Sequence, residues 1–346
     1  MSPRRKLYLD TSVGERRGVV TLNDQPERLI IERDSDTSRL LAGAVLAARI
    51  IRVEKGLGIA FLQSPDGEDL IVSRAALPEG VSEGKVLAVQ VLSPSRRGKG
   101  ANAKVLSTDS GPPRWIGDAP DLRQRLQGYA PGAGIETGRD AREMADEAMA
   151  EVFQTEFPLR GGGSLAIEST RALIAVDVDV GAAAGQDARF SATKMNQVGI
   201  VEAARLARLK GLGGLMIIDL AGKGHNGPLL VESVKSAFAP DQPGVAIGAI
   251  SRFGVLELAL PWRSRPLLEV LADESGGPSV DTEALTILRA IEREAGAGRR
   301  VAVRCSAGVA DRLAVMGPKL AEKIGNRFSV TASGERRHGS WEVSSL

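Results

Sequence analysis

Cysteine is almost missing from this chain: of 346 residues one is a cysteine, Cys305. An internal disulfide is therefore excluded, as is any zinc site built on a cysteine pair. A lone cysteine reads as a buried structural residue. Histidine is nearly as scarce, with only His225 and His338. Each falls in a polar stretch, which argues against RNA cleavage by a cooperating histidine pair. Aromatic residues make up 3% of the chain, so alanine and valine must fill much of the interior. The longest apolar run, "LLAGAVLAA", is far too short for a membrane span. The start, "MSPRRKLYLD", has positive charge with no apolar stretch behind it, so it does not read as a secretory signal. These features predict a cytoplasmic protein. Excess charge of one sign is also missing, with 45 Lys and Arg against 43 Asp and Glu. Any nucleic-acid site must then be a local patch.

The length is enough for two or three domains. "KLYLD", "RGVVTL" and "RLIIER" read as a short β unit. "AVLAARIIRV", "GIAFLQ", "DLIVSRA" and "KVLAVQVL" follow, separated by turn residues in "SPDGED", "PEG" and "SEG". Evenly spaced short strands predict a small barrel, with an OB-fold as the natural candidate. "SPSRRGKGANAK" reads as a cationic loop or hairpin. Thr108 to Pro131 is rich in Gly, Pro and Asp and reads as a linker or irregular region. "DAREMADEAMAEVFQ" predicts a helix with Met144, Ala148 and Val152 near one face, and "RGGGS" breaks it. The C-terminal part, from Thr282, reads as a small α/β piece.

The stretch "ALIAVDVDVG" places two carboxylates on one face of an apolar strand. Alternation sends Ile174, Val176, Val178 and Val180 one way and Ala175, Asp177 and Asp179 the other. On this stretch alone, solvated side chains are the simpler reading. A helix capped by Ser191 or Thr193 then runs to about Lys210, with Val198, Val201, Leu206 and Leu209 as apolar contacts. "GLGG" ends it, and the strand "LMIIDL" follows. This is a β–α–β unit with parallel strands. Asp177 and Asp219 both fall toward the carboxyl ends of those strands, where open α/β sheets place ligands. Converging carboxylates there suit Mg²⁺ or Mn²⁺; an aspartate ending a strand can equally cap a turn. A nucleotide-hydrolysing reading of "LMIID" lacks the G-x-x-x-x-G-K-[ST] loop it requires.

The stretches "GGGSLAIESTRALIAVDVDVG", "NQVGIVEAARLARLKGLGGLMIIDL" and "ISRFGVLEL" resemble the ribonuclease E/G family of bacterial endoribonucleases, in order and spacing. "RVEKGLGIAFLQ" and "RRGKGA" are similar to that family's OB-fold. The resemblance implies an OB-fold RNA-binding domain, an α/β nuclease domain with a mixed sheet, and a small C-terminal α/β domain. The corresponding division is an N-terminal β segment (1–37), the OB-fold (38–108), a connector or trimmed sensor region (109–160), the nuclease domain (161–275) and the small domain (276–346).

It also implies an activity: hydrolysis of single-stranded RNA to 5′-phosphate and 3′-hydroxyl ends, with Asp177 and Asp219 holding one Mg²⁺, or Mn²⁺ in its place. An RNA-binding protein of the same fold with little or no cleavage is the alternative. Three departures bear on the choice. Asp179 stands where the family has asparagine, and is counted with the catalytic candidates. The 5′-end-sensing region is nearly absent. "VLADESGGPSVDT" lacks the family's cysteines, so no zinc is expected and a homodimer, if formed, is not zinc-linked. The resemblance puts RNA contact at Phe61, where the alternative is a core phenylalanine, and a second platform position at Leu70, which weakens the platform. Arg96, Arg97 and Lys99 on the basic loop, and Arg205 and Arg208 on the helix, are phosphate-contact candidates. Plain solvation remains the alternative for all five.

Overall fold

A computed structural model of the chain describes residues 4–96, 98–181, 188–223, 226–295, 298–334 and 339–345, with the side chains of 188–191 set aside. Arg97, His225 and His338 lie outside the described residues.

Runs of β-branched and leucine residues broken by short polar turns fold the N-terminus into a meander: β1 (Arg5–Ser12), β2 (Glu15–Leu22) and β3 (Gln25–Arg33). The second turn is Asn23-Asp24, both at positive φ (52° and 66°). Those are residues that tolerate the left-handed region, and this turn type matches the twist of a hairpin. Five strands then close a barrel: β4 (Val45–Glu54), β5 (Ile59–Gln63), β6 (Asp69–Ser73), β7 (Val86–Ser93) and β8 (Ala101–Asp109). Their order is β5-β6-β8-β7-β4, and the β4–β5 pairing closes the ring. Only β6–β8 is parallel, so the barrel is OB-like. Leu46, Ile50, Leu62, Leu70, Leu87 and Val89 fill it.

The region expected to be a linker is ordered. β9 (Arg114–Gly117) pairs with β4, and α1 (Leu122–Tyr129) starts at a capping box in which Asp121 accepts from the Gln124 amide. Gly, Pro and Asp there mark turns and a cap, not an irregular chain. β10 (Ile135–Thr137) adds to β1 in parallel, so the N-terminal meander is completed by residues far from it in sequence. α2 (Arg139–Phe153) buries Ala141, Ala145, Ala148 and Val152, while Met144 is only half-buried.

The next sheet is mixed and six-stranded: β11 (Glu156–Pro158), β12 (Ser164–Ser169), β13 (Ile174–Asp179), β14 (Gly214–Asp219), β15 (Ala246–Ile247) and β16 (Val255–Leu260), in the order β11-β12-β13-β14-β16-β15. α3 (Ala188–Lys210) connects the parallel pair β13 and β14. The helix has begun by Ala188, so Ser191 and Thr193 lie within it and do not cap it. Leu206 and Leu209 are buried, but Val201 is 57% exposed and is no core contact. At the C-terminal end of α3 the buried Lys210 ammonium donates to the carbonyls of Glu151 (3.1 Å), Val152 (2.7 Å) and Gln154 (2.6 Å), satisfying the last turn of α2. Burial lowers its pKa to about 8. α4 (Gly227–Ala237) and the short α5 (Leu268–Leu271) follow.

The C-terminal part, expected to be a small α/β domain, holds α6 (Val280–Ala295), β17 (Val301–Cys305), α7 (Ala307–Ile324), β18 (Phe328–Ala332) and β19 (Glu342–Ser345). Cys305 is fully buried there. An ionic network joins α6 to the meander and to α2. Arg17, wholly buried, bonds Asp10 and Asp146 at 2.6 Å each, and Arg289 bonds Glu15 at 2.5 Å. Among the described residues no helix is long and apolar enough to cross a membrane.

Candidate active site

Strand alternation divides β13 into two faces. Ile174, Val176 and Val178 are buried among the side chains of α3, while Ala175, Asp177 and Asp179 face outward. Gly199 makes the inner packing possible: a Cβ there would lie 2.8 Å from the Val178 side chain. On β14, Met216 and Ile218 point inward and Asp219 outward. The parallel register pairs Asp177 with Asp219 directly. Adjacent strands lie about 4.8 Å apart, so the two carboxylates leave the same open face side by side. Their outer neighbours in that row are Ala166 on β12 and Val255 on β16. Neither aspartate has an ion-pair or hydrogen-bond partner among the described residues.

The carboxyl ends of these strands are held from behind. Asn196, fully buried on α3, donates from Nδ2 to the Ala221 carbonyl (3.0 Å) and accepts the Ala221 amide on Oδ1 (2.9 Å). It thus fixes the chain two residues beyond Asp219. Asp179 is engaged differently, its Oδ1 accepting the Gly181 amide at 3.0 Å. The glycines of "RGGGS" hug this end: a Cβ on Gly163 would lie 2.2 Å from the Asp179 carbonyl. On the other flank, Ser251–Gly254 forms a tight turn into β16, and the Leu220 amide donates to the Gly254 carbonyl (3.3 Å). That turn carries Arg252 and Phe253, both exposed and both missed by sequence reasoning. Both fall in "ISRFGVLEL", where an Arg-Phe pair before a glycine is the local cue to an exposed turn.

Two bare carboxylates without a third would make a sparse donor set for a metal. Among the described residues no group of three or more His, Cys, Asp or Glu is placed to hold a metal. The set fits Mg²⁺, which keeps several waters and takes one or two carboxylates together with substrate phosphates.

The phosphate-contact candidates divide sharply. Arg205 is buried and bonds Glu202 (2.5 Å), Glu151 (2.8 Å) and the Pro26 carbonyl (2.5 Å). Arg208 bonds Glu27 (3.0 Å) and Asp241 (2.7 Å). Both tie α3 to its neighbours, so the expectation that they meet RNA is corrected. Arg96 turns inward as well. Its guanidinium stacks 4.0 Å from the Trp262 ring centroid, and burial pulls its pKa down. It lines a cleft of about 1010 Å³ between the barrel hairpin and the segment around α5. Lys99 is exposed at the rim of that cleft. Arg97 lies outside the described residues.

Phe61 is not a core residue. Its neighbours Ala60 and Leu62 are the buried ones, and Arg52 stacks on the ring at 4.9 Å. Leu70 is fully buried in the barrel, so it is no platform position; the register partner of Phe61 across β6 is Ile71.

Residues 136–263, which include this site, match the model of the Ribonuclease E/G family. Ribonuclease E of Escherichia coli (strain K12) is 37% identical over 153 residues, covering 41% of this chain and 14% of that protein. A chloroplastic Ribonuclease E/G-like protein of Arabidopsis thaliana is 30% identical over 161 residues, 45% of this chain and 16% of its own length. Ribonuclease G of Escherichia coli (strain K12) is 26% identical over 163 residues, 45% of this chain and 32% of that protein. The matched stretches are thus less than a third of each of these relatives.

Proposed function

We propose that this chain, with its ribonuclease E/G-type domain, is a metal-dependent endoribonuclease. It cuts single-stranded RNA to 5′-phosphate and 3′-hydroxyl ends, in cytoplasmic RNA processing or decay. The observation that carries this reading is the register-matched pair Asp177 and Asp219 on an open sheet face, unpartnered among the described residues. The relatives named above, all ribonucleases by name, support the substrate class.

Asp177 and Asp219 would hold Mg²⁺, or Mn²⁺ in its place. When bound, the ion supplies an activated water and charge stabilisation at the scissile phosphate. The chain's own residues supply geometry. β13 and β14 fix the spacing of the two carboxylates, and Asn196 locks the backbone beyond Asp219. The open face leaves room for an extended strand, and Phe61 and Lys99 offer stacking and charge on the barrel. The division into N-terminal segment, OB-like barrel, connector, nuclease domain and small domain is part of the same proposal. A second reading is RNA binding with little cleavage. The commitment of Asp179 to the Gly181 amide favours it, because this leaves only two free carboxylates.

The test is end-labelled single-stranded RNA incubated with Mg²⁺, Mn²⁺ or EDTA, with the product ends identified enzymatically. Metal-dependent internal cuts with 5′-phosphate and 3′-hydroxyl ends are expected. Binding without cutting in every metal selects the second reading.

A further inference from the structure

Phe253 is the most exposed large hydrophobic side chain among the described residues, with 75% of its surface open. Aromatic residues make up only 3% of the chain, and this one stands outward on a tight turn. The turn that carries it is well built. The Gly254 amide donates to the Ser251 carbonyl (3.0 Å), the Ser251 amide to the Val255 carbonyl (2.9 Å), and the Phe253 amide to Ser251 Oγ (3.2 Å). Gly254 sits at φ +86°, which a side chain would resist. The ring is therefore held out by a rigid element.

Its position follows from the register. Val255, two residues on, is the β16 partner of Asp219. The turn thus stands at the carboxyl end of β14, on the flank of the carboxylate pair opposite β13. The Arg252 guanidinium lies 4.7 Å from the Phe253 ring centroid, covering one face and leaving the other open. Arg252 has no carboxylate partner among the described residues. The barrel repeats the construction, with Arg52 stacked on the half-exposed Phe61.

We infer that Phe253, backed by Arg252, is a base platform that fixes which nucleotide of a single RNA strand lies beside the Asp177–Asp219 pair. A nucleobase stacks on the open face of the ring, and the guanidinium adds positive charge where a phosphate-bearing strand passes two carboxylates. The inference rests on the proposed RNA substrate and deepens it by naming a determinant of cleavage position.

The experiment uses the full chain carrying Asp219→Asn, so that RNA is bound but not cut, with a single 2-aminopurine moved position by position along a short single-stranded RNA. One position is expected to be quenched by stacking. Phe253→Ala in this background abolishes that quenching and weakens binding about tenfold, whereas Phe253→Tyr retains both. In the otherwise native chain, Phe253→Ala raises KM about tenfold with kcat changed less than about threefold, and blurs the cut position. Quenching and affinity unchanged in a folded Phe253→Ala protein overturn the inference, as does a loss of self-association that accounts for the whole effect. If the native chain does not cut but Phe253-dependent quenching is present, the cleavage reading falls and the platform stands. If it cuts and quenching ignores Phe253, only the platform falls.

Discussion

Asp177 on β13 and Asp219 on β14 are direct register partners in a parallel strand pair, and both face away from the core. Two like charges held this close, with no partner among the described residues, repel. Neutralising either with an isosteric amide removes that repulsion. In EDTA, Asp177→Asn or Asp219→Asn is expected to leave thermal stability unchanged or raise it by up to about 1 kcal/mol. Adding Mg²⁺ then raises the melting temperature of the native chain and not of either variant. Equal Mg²⁺ stabilisation of native and variant proteins contradicts the pairing.

Asp179 shares their face but not their freedom, because its Oδ1 accepts the Gly181 amide. An asparagine carbonyl oxygen accepts the same bond. Asp179→Asn should therefore keep the loop in place and remove a negative charge near the phosphate path, so cleavage is preserved or raised. A loss greater than about tenfold would make Asp179 an essential ligand. Initial cleavage rates over a range of Mg²⁺ concentrations decide this.

The arginines on α3 and the lysine on the barrel hairpin should separate cleanly. Arg205→Ala strands Glu202 and Glu151 in a largely buried setting and costs about 3 kcal/mol of stability. The salt slope of RNA binding should not change. Arg96→Ala removes the stack on Trp262 and should loosen the barrel hairpin, again with no change in slope. Lys99→Ala leaves stability alone and lowers the slope by about 0.7, the value of one phosphate contact to a single strand. Affinity measured over a series of KCl concentrations, beside denaturant melts, reads both quantities.

Acid should destabilise the meander through two carboxylates. Burial alone would push Asp10 up, but Arg17 and Arg142 outweigh it and hold the carboxyl below its ordinary value. Glu27 is likewise raised by burial and then brought below its ordinary value by Arg5 and Arg208. In each case the unfolded state binds the proton first as pH falls. Their stabilisation is complete above the ordinary carboxyl range, at about pH 5, and is lost as pH drops through the lowered native values. Melting temperatures should fall steeply below about pH 4, and Asp10→Asn should flatten that fall. An unchanged acid limb in Asp10→Asn contradicts the assignment.

The parts of this molecule legible in sequence were those with strong local periodicity. "IAVDVD" and "LMIID" announced both strands with an aspartate toward each carboxyl end, and the connection through α3 made the pair parallel. The barrel was legible from its evenly spaced short strands. What stayed hidden depended on distant partners. Residues 135–137 complete a sheet begun at Arg5, and nothing local announces that. Arg205 and Arg208 look like surface cations at helical spacing, but Glu27, Glu151, Glu202 and Asp241 claim them. Leu70 and Phe61 differ by the one-residue alternation that sends one into the barrel and the other out. Asn196 has no local signature, since its meaning lies in the Ala221 backbone across the fold.

The most direct measurement is cleavage of a labelled single-stranded RNA by the native chain, Asp177→Asn and Asp219→Asn, in Mg²⁺ and in EDTA, with RNA affinity and melting temperature recorded for each. The account predicts Mg²⁺-dependent cutting by the native chain. It predicts a loss of at least about a thousandfold in both variants, with binding and folding retained. Full activity in either folded variant, or cutting by the native chain that EDTA leaves untouched, would contradict it.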